Sequence, residues 1–276
     1  MKSGLILLLV FVCLLFISGC KDAKTGIVIP GTSTKYPFAL NNEWEYKTVI
    51  KSEYYNKTGG FDSTIIEDLG NTIVKVISTN QSLKSYNSLF IIESFEVKTP
   101  QWKSKHYYLN ADSGLYGIAY NNAGVAQVVI PKKSNSRYLT LKDFRNKFVD
   151  KTGLFFENYY SPLTDSVQFY EIPRKVLAYP FSVGDKWIEL LIPFFRERIV
   201  TGLVDISANN EIIRCYEIVG EMIGYKLVMK DYFAPNVGLV RRDIISDSLF
   251  ISGPDSPDPT GYAKSTFTSI LVRKNF

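Results

Sequence analysis

Tyr36-Pro37-Phe38-Ala39-Leu40-Asn41-Asn42-Glu43-Trp44 returns in the second half of the chain as Tyr179-Pro180-Phe181-Ser182-Val183-Gly184-Asp185-Lys186-Trp187. Tyr, Pro, Phe and Trp recur at the same spacing. Leu40 answers Val183, and Asn41-Asn42 answers Gly184-Asp185, both being dipeptides that accept positive φ in a turn. A second pair follows in the same order. Tyr108-Leu109-Asn110-Ala111-Asp112-Ser113-Gly114-Leu115 is matched by Tyr232-Phe233-Ala234-Pro235-Asn236-Val237-Gly238-Leu239. Two ordered matches indicate an internal repeat, with insertions in the first copy.

The residues between the boxes favour strands. Ala occurs only ten times, whereas Ile, Val, Tyr, Phe and Thr are abundant. Apolar residues recur near period two in 72–77, 198–206 and 262–272, and Asn-Asn, Gly-Gly or Asp-Ser-Gly signals separate such runs. The fold expected is mainly β: two tandem, related antiparallel modules forming a curved sheet or a sandwich, with at most one or two short helices. The best helix candidate is 139–150, with Thr140 as its N-cap. Residues 252–261, with three prolines and two glycines, read as a loop. In the boxes, Phe181 and Val183 lie two apart and should face one way. Gly114 and Gly238 should allow sharp bends between strands. Tyr36, Pro37, Phe38, Trp44, Gly114, Tyr179, Pro180, Phe181, Trp187 and Gly238 are therefore read as structural residues of the repeat.

The N-terminus carries an address. Lys2 precedes an unbroken apolar run of thirteen residues, Leu5 to Ile17. A membrane span needs about 20 such residues, so this run fits the core of a signal peptide. It closes on Ile17-Ser18-Gly19-Cys20, which resembles the lipobox of bacterial lipoproteins. The resemblance implies diacylglycerol on the Cys20 thiol, cleavage between Gly19 and Cys20, and acylation of the new amine, for instance with palmitate. Lys21 in place of Asp implies sorting to the outer membrane. The expected organisation is a signal peptide over 1–19, a lipidated Cys and flexible tether over 20–35, a first β module over 36–130, a basic connector over 131–178 and a second β module over 179–276. The boxes resemble a loose class of uncharacterised bacterial envelope lipoproteins, with a Phe-Pro-Leu-like box before Gly-Asn/Asp-x-Trp and a later Ala-Pro-x-Val-Gly-Leu box. The second copy fits through Phe181, Gly184, Asp185, Trp187, Ala234, Pro235, Val237, Gly238 and Leu239. The first departs, with Asn41 for Gly and no Pro near Gly114. The resemblance implies export and a β fold, and brings no active site.

The 276 residues are 46% hydrophobic, 14% aromatic and 21% charged, which excludes a disordered chain. Removing 1–19 takes away Lys2 and no acid, so the net charge falls from +5 to +4. The densest basic stretch is 131–151, where seven Lys and Arg face Asp143 and Asp150. It reads as a solvated connector, with a lipid-headgroup contact through Leu141, Phe144 and Phe148 as the functional alternative. No nucleic-acid motif accompanies it. Of three cysteines, Cys13 leaves with the signal and Cys20 takes lipid. Cys215 is left without a disulfide partner and reads as a small buried hydrophobe.

Catalytic constellations are missing from the sequence. The single histidine, His106, cannot build a His-rich metal site and reads as a half-exposed structural residue of a strand. No GxSxG elbow or GxxxxGK[ST] phosphate loop occurs. Asp255, Ser256, Asp258 and Thr260 could offer oxygens to Ca²⁺, but their spacing is not that of an EF-hand. No cofactor, metal or catalytic residue is assigned. The expectation is a non-enzymatic outer-membrane lipoprotein that binds or scaffolds. Its partners would be membrane lipid through the acylated N-terminus and an envelope protein or apolar ligand. An apolar-ligand (lipid) carrier with a β-lined cavity is the alternative, and a glycan hydrolase using two carboxylates is the second alternative.

Overall fold

In the computed structural model, residues 27–28, 35–101, 103–121, 167–191, 195–222, 227–252 and 259–276 are described. All their regular structure is strand, in keeping with the mainly β expectation: β1 (Ile27–Val28), β2 (Glu43–Asn56), β3 (Phe61–Leu83), β4 (Tyr86–Glu96), β5 (Lys103–Ala111), β6 (Gly114–Asn121), β7 (Gln168–Ala178), β8 (Lys186–Leu190), β9 (Arg196–Ala208), β10 (Glu211–Met222), β11 (Leu227–Ala234), β12 (Gly238–Ser252) and β13 (Pro259–Lys274).

One sheet holds them, in the order β7-β6-β5-β4-β3-β2-β13-β12-β11-β10-β9-β8. Sequence neighbours are therefore sheet neighbours in two six-stranded antiparallel meanders, β2–β7 and β8–β13. The meanders join where β2 pairs with β13, from Trp44↔Lys274 to Asn56↔Gly261. β1 lies parallel beside β10, with Ile27 opposite Ile212.

The alternation that makes strands also makes the interior. In β2, Trp44, Tyr46, Thr48, Ile50 and Ser52 are buried while their neighbours are at most half-buried, and β13 alternates likewise over Ala263, Ser265, Phe267, Ser269 and Leu271. A sheet this wide with one buried face curls to enclose it. Its outermost strands, β7 and β8, then meet. No ladder joins them among the described residues. The Trp187 indole instead donates to the Lys175 carbonyl at 3.0 Å, and Arg174 donates from Nε to Glu189 at 2.7 Å.

The two rims differ. At the rim where the chain enters, the connections are 84–85, 112–113, 179–185, 209–210 and 235–237. At the far rim are the 57–60 turn and the strand ends at 96 and 103, 121 and 168, 190 and 196, 222 and 227, and 252 and 259.

Two expectations change. The stretch read as the end of a basic connector contains strand β7, paired with β6 from Gly114↔Ala178 to Tyr120↔Gln168. Pro173 and the charges around it hide this strand's alternation. Residues 259–261, read as loop, begin β13. Pro259 sits at its first position, where a missing N–H costs no ladder bond. The two meanders are arcs of one sheet, the curved-sheet form of the expected fold. The helix candidate at 139–150 and the basic stretch 131–151 lie outside the described residues.

Candidate functional site

The boxes meet at the entry rim. Tyr36 packs against Phe38, Trp44 and Phe233, with ring centroids 4.5, 5.5 and 5.8 Å apart. Phe181 packs edge-on against Tyr216 and Phe233 at 4.8 and 5.5 Å. The Tyr36 amide donates to the Tyr179 hydroxyl at 2.9 Å, so the two boxes touch. Each box docks beside the glycine turn of the other half. Trp44 Nε1 donates to the Val237 carbonyl at 2.6 Å, and the Tyr179 amide donates to the Ser113 carbonyl at 3.2 Å. Gly238 (φ +94°) leaves room for the Tyr36 ring, since a Cβ there would stand 2.7 Å from it. A Cβ on Gly114 (φ +154°) would stand 2.3 Å from the Leu177 carbonyl oxygen.

The turns inside the boxes are bonded alike. Asn41 N–H donates to the Val76 carbonyl and Val76 N–H to Asn42. Gly184 N–H donates to the Val200 carbonyl and Val200 N–H to Asp185. Asn41 (φ +68°) and Gly184 (φ +96°) both take positive φ. One expectation fails here. Val183 does not share the face of Phe181; it is 54% exposed, as is its counterpart Leu40. The tight turn begins before it and swings the side chain outward.

Above this aromatic plug lies a buried charged layer that the sequence reading did not single out. Glu189 sits between Arg174, Arg196 and Arg198, each within ion-pair distance, the Arg196 contact at 2.9 Å. Asp231 accepts from Arg198 Nη1 at 2.7 Å and from Arg242 Nε and Nη2 at 2.6 and 2.7 Å. Burial raises the Glu189 carboxyl, but the three guanidinium charges outweigh it and hold the group well below the usual carboxylate range. Burial likewise raises Asp231, and Arg242 and Arg198 reverse the shift. Both acids are held ionised. A signal existed: Glu189 shares strand parity with buried Trp187, Arg198 with Val200, Asp231 with Phe233 and Arg242 with Ile244.

The remaining candidates are scattered. His106 in β5 is fully buried rather than half-exposed, because its strand is flanked by β4 and β6 and its side chain points inward. Burial, and secondarily Arg174, lowers its pKa well below the ordinary imidazole value. Cys215 is buried in β10 and its thiol is pushed up to about 12, chiefly by burial. Among the described residues no His, Cys, Asp and Glu cluster could hold a metal ion. A polar depression of about 220 Å³ is lined by Glu93, Gln101, Lys103, Lys105 and Asn121, where Lys103 is paired with Glu93 at 2.7 Å. Gly19, Cys20, Asp255, Ser256 and Asp258 lie outside the described residues, and Thr260 donates to the Ile251 carbonyl.

No family model and no curated protein matches the chain. Among solved structures, a "putative lipoprotein" from Parabacteroides distasonis aligns over 87% of this chain and 97% of its own, with 12% identity and a TM-score of 0.26. Agreement this loose carries no argument for fold or function.

Proposed function

We propose that the chain is a lipid-anchored protein of the bacterial outer membrane, tethered through Cys20, whose curled sheet is a non-catalytic binding or scaffolding module built from two copies of a six-stranded unit. The observation that carries the reading is the Ile17-Ser18-Gly19-Cys20 box closing a thirteen-residue apolar run. The interior agrees with it. Glu189 and Asp231 are locked to arginines away from solvent, where neither could act as a general acid or base on a glycan. An acyl-chain carrier would need an apolar hollow, whereas the described interior holds large aromatic rings and this charged layer.

The test is metabolic labelling of the full chain with a fatty acid, followed by membrane fractionation. The native chain should carry label and sediment with outer membrane, and Cys20→Ala should lose both. An unlabelled native chain would sink the anchor. Native mass spectrometry of protein gently released from its own envelope separates the rest. A bare mass with a reproducible crosslinked protein partner supports scaffolding, and a co-purifying lipid would replace it by carriage.

A further inference from the structure

We infer that the entry rim is a membrane-contacting surface: the plugged end of the sheet rests on the lipid bilayer, and the far rim faces away from it. This rests on the anchored reading above and adds an orientation to it.

Where the chain enters the sheet is the first argument. Two points tie the N-terminal segment down, and both lie at the entry rim. Ile27–Val28 pairs beside Ile212–Ile213, just after the 209–210 turn. Lys35 is bound to Asp112 in the 112–113 turn. Six residues, and so seven Cα–Cα steps, separate Cys20 from Ile27, a reach of at most ~24 Å at full extension. Strand β2 alone runs from Glu43 to Asn56 towards the far rim, about 43 Å of strand. The acylated residue can therefore lie under the entry rim, while the 57–60 tip stands well beyond the tether's reach.

The second argument is what the rim exposes. Leu40 and Val183 occupy equivalent turns and both point outward, each 54% exposed, and Phe276, 41% exposed, follows Asn275, whose side-chain amide donates to the Asn41 carbonyl next to Leu40. Phe276 is fixed at this rim by its ring contact with Trp44, 5.0 Å between centroids, and by the Asn275 amide donating to the Glu43 carbonyl. Lys186 is exposed three residues after Val183, and the Lys274 ammonium lies 5.5 Å from the centre of the Phe276 ring. Apolar side chains edged by lysines suit the boundary between acyl chains and phosphate headgroups. The far rim also exposes apolar side chains, among them Phe61, Val97 and Leu191, so it is the reach of the tether that chooses between the rims. The contact is small and works only beside an anchor that keeps the rim close.

The test uses the full acylated chain in outer-membrane vesicles. Single substitutions Leu40→Cys, Val183→Cys and Thr58→Cys receive a thiol-reactive fluorophore; Cys215 is buried and should leave the native chain unlabelled. Nitroxide carried on lipid headgroups should quench the dyes at positions 40 and 183 several-fold more than the dye at 58, and a water-borne quencher should do the reverse. Equal quenching at all three, or stronger lipid quenching at 58, overturns the orientation. The mass of each variant reports acylation separately. A chain without acyl groups defeats the anchor itself, whereas an acylated chain with dry dyes at 58 and wet dyes at 40 and 183 defeats only the orientation.

Discussion

At the scale of single residues, two glycines and one histidine make the sharpest demands. Gly114 and Gly238 combine positive φ with a carbonyl or a ring where a Cβ would stand. Alanine at either site should cost about 2 kcal/mol or more by denaturant melts. Gly202, with nothing within 4 Å of its Cβ position, should accept alanine within about 0.5 kcal/mol. These sites were legible as bends, because a glycine follows a turn signal in both boxes. The depth of His106 was not, since its Lys and Tyr neighbours suggest a half-wet strand. Its folded pKa is depressed, so the unfolded chain takes a proton first as pH falls. Stability should be level above about pH 7 and decline below the unfolded value near 6.5, at up to roughly 1.4 kcal/mol per pH unit. Glu189 and Asp231, also depressed, add their own loss below about pH 4. The chain has one histidine, so a single imidazole signal reports the first step. Ordinary titration of that signal near 6.5 in the folded protein would contradict it.

At the scale of strands, period two located most of the sheet and missed what it encloses. Runs such as 198–206 alternate clearly, and β9 contains them. The charged layer escaped notice because its members come from β7, β8, β9, β11 and β12, and no local motif links residues 174, 189, 198, 231 and 242. Strand parity would have exposed it: a charged residue in register with buried hydrophobes must find a counter-charge. Glu189 is the shared ion-pair partner of three guanidinium groups. Glu189→Gln should therefore cost about 3–5 kcal/mol, whereas the double change Glu189→Leu with Arg174→Met should cost less than the sum of its parts. Urea melts of the two singles and the double decide it, and additive losses would mean that the β7–β8 contact is not the coupling between them.

At the scale of the molecule, the repeat indicated two modules but could not show that they share one sheet. Boxes fix local turns, whereas closure depends on which edges remain unpaired once every neighbour has found its ladder. Here the two junctions between the meanders are unlike. β2 and β13 are joined by a long ladder with no covalent link. β7 and β8 lack a ladder among the described residues and are joined by the 179–185 connection.

Asn275 N–H reaches the Glu43 carbonyl, so the end of β13 lies against the start of β2. The order in which the chain visits its strands is then open to rearrangement. Linking residue 276 to residue 35 through a short flexible spacer and opening the chain within 122–166 should give a permuted protein that folds, because both meander junctions survive. Opening it within 179–185 instead exchanges the two halves and cuts the one covalent tie across an unladdered junction, which would then rest on side-chain contacts such as Arg174–Glu189 and the Trp187 indole. That second permutant should melt well below the first. Genetic reordering thus separates a junction held by hydrogen bonds from one held by the chain itself.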